Sequence, residues 1–308
     1  MSAPLWTSEA IAAATGGTAT APFAAMGVSI DSRSVEAGDL FVALAGARDG
    51  HEFVPGALAQ GAAGSLVSKT VEGPAVVVED VFRALEMLGI AARVRAPTAR
   101  RGAVTGSVGK TSVTRAVEAG LRLAGRAHAS VKSYNNHIGV PLTLARMPAD
   151  TLRAVFEIGM NHAGEIGPLA RMVAPHAVAI TTVGPVHIEN FTDGEAGVAL
   201  AKAEIFEGLE PGGVAVLNAD DRWFGQLQSA ALEAGATVRS FGASPLADAR
   251  LTAFKARQGG AVVEAVVDGA PLSIELLQSG SHWGPNSLCV LLMLEALGCL
   301  AIGFADDY

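Results

Sequence analysis

The chain reads as an α/β protein: a small N-terminal α/β domain, then a larger one with a mostly parallel sheet and a small antiparallel appendage. Three observations predict this. Strand-like and helix-like segments alternate from residue 102 to 241, the pattern of parallel strands joined by covering helices. A buried strand, a glycine-rich turn and a lysine open that alternation at residues 102–111. After Leu251, three segments of alternating hydrophobicity, 251–256, 261–267 and 272–276, follow without helices between them, as antiparallel strands do.

Taken in order, Thr7 can cap a helix over 8–14 that Gly16-Gly17 stops. Strands are expected at 28–30, 40–44, 65–68 and 75–78, and helices at 55–61 and 80–95. Asp31-Ser32-Arg33 and Asp49-Gly50-His51 form polar turns between them. The first offers a carboxylate, a hydroxyl and a guanidinium fork suited to a phosphate, although read alone it is rather an ordinary turn; His51 is open in the same way. Pro97 closes the last helix, and the basic stretch 93–101 reads as a linker, with domains over 1–98 and 99–308. Beyond it, strands are expected at 102–105, 154–158, 177–182, 214–217 and 237–241. Helices are expected at 110–124, 141–147, 165–173, 195–209, 221–234 and 285–297.

Composition narrows the function. The 308 residues suggest about two domains. Half are hydrophobic but only 5% aromatic, so the core is Ala, Val and Leu. A net charge of −8 without a basic run argues against a general nucleic-acid binder. Cys289 and Cys299, in an apolar segment, read as buried thiols rather than a disulfide or metal pair. Residues 1–17 carry no signal-peptide pattern, and Glu295 interrupts the apolar run 288–304, so neither secretion nor a membrane span is expected. A cytoplasmic monomer is the expectation.

The stretch Thr105-Gly106-Ser107-Val108-Gly109-Lys110-Thr111-Ser112 carries the chemistry. Glycines let backbone N–H groups face a polyphosphate, the helix start adds positive potential, Lys110 reaches the outer phosphates, and Thr111 offers a hydroxyl to magnesium. The pattern G-x-x-x-x-G-K-[ST] wants a glycine where Val104 stands, so the tripeptide Gly109-Lys110-Thr111 is a weak signal without support. Support comes from strand ends, where ligands of such folds sit. Glu157 ends a strand, as a magnesium ligand would or a solvent-facing acid. His187 ends the next. Lys202 lies on a helix near Glu204 and Glu207, which by itself describes a solvated lysine. Asn135-Asn136-His137 precedes Ile138-Gly139-Val140-Pro141, and Asn286 follows Gly280-Ser281-His282.

Together these stretches resemble the Mur ligase family, the ATP-dependent amide-forming enzymes of peptidoglycan synthesis, whose phosphate loop also lacks the outer glycine. The likeness runs over nearly the whole chain. Within the family, Asn161-His162-Ala163-Gly164-Glu165 is similar to the type that joins D-alanyl-D-alanine to UDP-N-acetylmuramoyl-tripeptide, as against siblings adding another amino acid. The resemblance implies ATP and Mg2+ as cofactors and those two molecules as substrates. It implies a P-loop ATPase domain in which residues 105–112 hold the ATP phosphates and Asn286 meets adenine, although Trp283-Gly284-Pro285 departs from the family's smaller apolar residues there. It implies that Thr111 and Glu157 hold one metal, that His187 and a carbamylated Lys202 serve a second, and that Lys110, His187 and Lys202 are catalytic. Asp31, Ser32, Arg33, His51, Asn135, Asn136, Asn161 and His162 are the implied substrate contacts. The family's third, C-terminal domain, about 130 to 150 residues, has no counterpart before Tyr308. The expectation is therefore a chain that binds nucleotide and ligates poorly by itself, with a non-catalytic ATP- or UDP-sugar-binding module as the alternative.

Overall fold

A computed structural model describes residues 3–46, 48–131, 133–186 and 188–299. In chain order the first elements are β1 (Trp6–Thr7), α1 (Ser8–Thr15), β2 (Thr18–Ala19), β3 (Ala24–Ala25), β4 (Gly27–Ser29), β5 (Asp39–Val42), α2 (Val54–Ala59), β6 (Gly64–Val67), β7 (Ala75–Val77) and α3 (Val81–Val94). Then come β8 (Arg100–Thr105), α4 (Lys110–Leu123), β9 (Ala127–Ala129), α5 (Gly139–Ala145), β10 (Arg153–Glu157), α6 (Ile166–Val173), β11 (Ala177–Ile180), α7 (Glu195–Ala203) and β12 (Val214–Asn218). The last are α8 (Phe224–Glu233), β13 (Thr237–Gly242), β14 (Ala249–Arg257), β15 (Gly260–Val267), β16 (Ala270–Leu276) and α9 (Trp283–Ala296). The chain forms two compact units: Met1–Pro97 with Ile138–Thr151, and Thr98–His137 with Leu152–Tyr308.

In the first unit β4, β5, β6 and β7 pair in parallel, and β2 adds to β7 antiparallel. Phe41, Val54, Ala57, Val67 and Ala75 form its core. Thr7 caps α1, and Gly16 ends it in a left-handed conformation at φ 70°. Helix α5, expected with the larger domain, belongs here. All seven of its residues are buried, and Gly89 of α3 makes room: a Cβ there would lie 3.1 Å from the Pro141 carbonyl oxygen. Trp6 Nε1 donates to the Ala145 carbonyl at 2.8 Å.

The second unit carries a nine-stranded sheet in the order β16-β15-β14-β13-β12-β11-β8-β10-β9. All pairs from β9 to β14 are parallel, and β14, β15 and β16 are antiparallel. The appendage is thus continuous with the main sheet, joined through Phe241–Ala249 and Gly242–Arg250. Val104, Ala177 and Ala179 face a core shared with α4 (Val113, Val117, Leu121) and α9 (Leu288, Leu292, Met293). Val178 and Ile180, also buried, point to the opposite face, where α6 and α8 pack.

Two local expectations are corrected, and one strand is added. The stretch read as a linker enters the sheet at Arg100, and Arg101 is only 5% exposed. Its guanidinium donates to the carbonyls of Val173, Ala174 and Ala99 and to Glu210, so its charge is buried with partners. Strand β9 escaped the pattern because it has three residues. The helix expected over 195–209 tightens after Ala203 into a 3-10 segment, Glu204–Gly208. Cys289 is buried and Cys299 half-buried, and burial raises both thiol pKa values. No described helix is long and apolar enough to cross a membrane; the end of the apolar run, 300–304, lies outside the described residues.

Candidate functional site

Strand β8 sits where connections diverge: it leads towards β9 on one side, while its neighbour β11 leads to β12 on the other. A crevice opens at the carboxyl ends of strands in such a place. The turn leaving β8 fills it. Gly106 has φ 149°, and a Cβ there would lie 1.9 Å from Thr181 Oγ1; Gly109 has φ 88°. Neither position tolerates a side chain without strain. Gly109 caps α4 with no side-chain hydrogen bond, so the N–H groups of the first turn remain for an anion.

The turn is held from β11. Ser107 N–H donates to the Thr182 carbonyl at 2.8 Å, and Ser107 Oγ both donates to the Gly184 carbonyl and accepts from its N–H. Thr181 Oγ1 donates to the Val108 carbonyl at 2.6 Å. From β12, Asp221 accepts Val183 N–H and Thr182 O–H, and Asn218 donates to the Thr181 carbonyl. A cleft of about 450 Å³ results, lined by residues 107–112, Ser133, Asn135 and Glu157.

Lys110 and Glu157 line this cleft, and Lys202 lies near enough for the charge of Lys110 to act on it. Lys110 is half-buried, and among the described residues its ammonium donates only to the carbonyls of Gly106, at 2.7 Å, and Ser107. Burial lowers its pKa, opposed by the Glu157 carboxylate nearby. Glu157 ends β10 opposite Val104 of β8 and is 3% exposed. Asn135 donates to its Oε1 at 2.7 Å; no other hydrogen bond reaches it among the described residues. Lys202, expected on a solvated face if read alone, is instead 4% exposed. Its ammonium has no hydrogen-bond or ion-pair partner among the described residues. Burial first, and then the charge of Lys110, lower its pKa to about 7.

The remaining residues divide. Asn286 packs its amide against Gly109, with Nδ2 3.3 Å from where a Cβ would stand. Thr111 Oγ1 contacts Ser133 Oγ at 3.3 Å, and Ser112 lines the cleft. Asn161 and His162 are exposed on the loop after β10, where Glu165 accepts from Asn161 N–H and contacts His162 Nδ1. Asn136 is exposed beside Asn135. In the first unit, Asp31 caps the turn Ser32–Ser34 and takes both arms of the Arg33 fork, at 2.9 and 2.7 Å. His51 accepts from Ser68 N–H at Nε2, which puts its proton on Nδ1, facing Asp49. Both ring nitrogens are committed to the fold of that loop. His187 lies outside the described residues. Sequence reading passed over Thr181, Asn218, Asp221 and Glu204; the run Asn218-Ala219-Asp220-Asp221 at a strand end was the available signal.

The donors suit a nucleotide polyphosphate with magnesium. Uncapped N–H groups and Lys110 provide for the anion. The free Glu157 oxygen and the Thr111 hydroxyl are hard oxygen donors, and Mg2+ sites use one or two carboxylates with substrate phosphates rather than full protein cages. Among the described residues no group of three or more His, Cys, Asp or Glu could hold a metal.

Comparison with known proteins agrees with this geometry. Residues 104–294 match the family described as Mur ligase middle domain, and residues 25–110 match Mur ligase family, catalytic domain. The chain is 34% identical over 276 residues to the UDP-N-acetylmuramoyl-tripeptide--D-alanyl-D-alanine ligase of Rickettsia prowazekii, covering 88% of this chain and 61% of that protein. It is 41% identical to the Escherichia coli ligase of the same name, covering 63% and 43%. The chain thus spans less than two thirds of either relative. Among solved structures, MurF from Acinetobacter baumannii superposes with a TM-score of 0.84 at 28% identity, over 96% of this chain and 66% of that one. MurF from Thermotoga maritima, in complex with ADP, shares the fold at a TM-score of 0.72 and 23% identity, over 88% and 63%.

Proposed function

The chain belongs to the Mur ligase family, and from that premise we propose that it binds ATP in the cleft at residues 105–112 for the joining of D-alanyl-D-alanine to UDP-N-acetylmuramoyl-tripeptide. The observation that carries this reading is a cleft lined by Lys110, Glu157 and the start of α4, with Lys202 buried within reach of the Lys110 charge and without a partner among the described residues.

The chemistry is stepwise. The tripeptide carboxylate attacks the γ-phosphorus of ATP, giving an acyl phosphate and releasing ADP. The amine of D-alanyl-D-alanine then attacks the acyl carbon, and phosphate leaves. Phosphoryl transfer needs positioning and charge neutralisation, and the backbone N–H groups of residues 106–112 with the Lys110 ammonium supply both. Mg2+, held by Thr111 and Glu157 and at a second position by His187 and Lys202, would neutralise developing phosphate charge. A Lys202 amine whose pKa is lowered to about 7 is about half neutral near pH 7, and the neutral amine can take up CO2 and lose a proton, becoming an anionic carbamate. The neighbouring Lys110 ammonium favours that anion, so the pair that repels before carbamylation attracts after it.

Asn286, against the loop at Gly109, is the proposed adenine contact. Asp31, Ser32 and Arg33 are proposed for the uridine diphosphate, with Asn135, Asn136, Asn161 and His162 for the rest of the substrate. His51 serves through the loop it holds. The reading is completed by a cytoplasmic monomer acting on small molecules, domains near 1–98 and 99–308 serving UDP-sugar and ATP.

Calorimetric titration of Mg-ATP and of the UDP-linked tripeptide, each alone, tests the proposal, followed by phosphate release with D-alanyl-D-alanine and other amino acids. Saturable binding of both ligands is expected, with phosphate release favouring the dipeptide. Binding of neither ligand overturns the reading; binding without phosphate release reduces the chain to a nucleotide-binding module.

A further inference from the structure

Glu204 stands two residues after Lys202, at the end of α7, and its carboxylate turns away from α7 altogether. Oε1 accepts Gly164 N–H at 2.6 Å, and Oε2 accepts Ile166 N–H at 3.1 Å and Gly167 N–H at 3.2 Å. The last two are orphan donors in the first turn of α6, the first lies just before its N-cap, and that helix has no cap of its own: its N-cap residue, Glu165, makes no capping bond. Glu165 reaches back instead, accepting Asn161 N–H at 2.7 Å and meeting His162 Nδ1 at 3.1 Å. The two carboxylates have exchanged tasks. Glu165 shapes the loop that leaves Glu157, and Glu204, borrowed from another element, caps the helix.

We infer that Glu204 is a positioning residue that locks the Lys202-bearing end of α7 to the loop presenting Asn161 and His162. This rests on the site reading proposed above. Three N–H groups on one carboxylate leave it little freedom, and negative charge at a helix start is favoured. Moving Glu204 therefore moves Lys202 and the 159–165 loop together. The phosphate loop is held independently, through Ser107, Thr181 and Asp221. Glu204 consequently acts on binding of the peptide substrate and leaves the nucleotide phosphates to other residues.

Glu204→Gln keeps the shape but turns one acceptor oxygen into a donor that faces N–H groups. The expected result is about a tenfold weaker affinity for the UDP-linked tripeptide, with Mg-ATP affinity within about twofold of the parent. Amide hydrogen exchange, which needs no ligand, should quicken over residues 159–167 and stay unchanged over 105–112. Equal loss of both ligands with exchange quickened throughout would show general destabilisation and overturn the assignment. Unchanged exchange over 159–167 would overturn it whatever the ligands do. Failure of the parent chain to bind the UDP-linked tripeptide, with the local exchange change still seen, would sink the site reading while leaving the lock in place.

Discussion

The two units treat their charged turns in opposite ways. In the first, Asp31 and Arg33 satisfy each other, and Asp49 takes both His51 and Lys69. The hydrogen bonds to Lys69 and His51 hold the Asp49 carboxyl well below the usual carboxylate range. In the second, among the described residues, Lys202 is buried without a partner, Lys110 donates only to carbonyls of its own loop, and Glu157 keeps an oxygen uncommitted. Charge that is paired locally stabilises a turn; charge kept buried and unpaired costs stability and is retained where a ligand will meet it. Substitutions should therefore have opposite signatures in the two places.

The largest effect belongs to Lys110→Met. It should weaken Mg-ATP binding by about a hundredfold while leaving the melting temperature unchanged or higher, which calorimetry and thermal unfolding would check. A melting temperature that falls steeply would break the contrast, since Lys110 would then be structural. Next comes Glu157→Gln, which should remove about tenfold of the Mg2+-dependent part of nucleotide affinity and spare metal-free ADP binding. Titrations with and without Mg2+ separate the two.

Lys202→Met should raise stability. The Lys202 pKa is about 7 in the fold against 10.5 in the reference state. Between those values the unfolded chain holds one more proton, so stability rises with pH across that window, and the full penalty applies below pH 7. The variant should gain about 1 to 4 kcal/mol at pH 6, with the gain shrinking towards pH 10 in urea unfolding. A gain independent of pH would contradict a lowered Lys202 pKa. The smallest effect is expected from His51→Ala, which leaves Ser68 N–H without its acceptor and costs about 1 kcal/mol with no change in Mg-ATP binding.

Much of this was legible in the residues, and the boundary is physical. The parallel alternation and the Gly106–Ser112 turn announce themselves because helix period, strand period and glycine placement are local. Glu157 was legible as a strand end. Lys202 was not legible as buried without the family resemblance: its helix carries acidic neighbours, and only the packing of α7 takes it out of water. Arg101 misled the boundary, because pattern reading treats arginine as exposed and cannot see four acceptors arriving from Ala99, Val173, Ala174 and Glu210. Helix α5 read correctly as a helix, but an all-buried helix does not say which core it enters. Glu204 stayed hidden for the same reason as Asp221: each acts on backbone groups 37 to 40 residues away, and a backbone donor has no letter.

Charges left unpaired among the described residues around 105–112 form the proposed receptor for nucleotide phosphates. Titrating Mg-ATP into the parent chain and into Lys110→Met measures it most directly. The account predicts saturable one-to-one binding to the parent chain and its near loss in the variant, with both proteins equally folded. Equal binding by the two, or none by the parent, would contradict it.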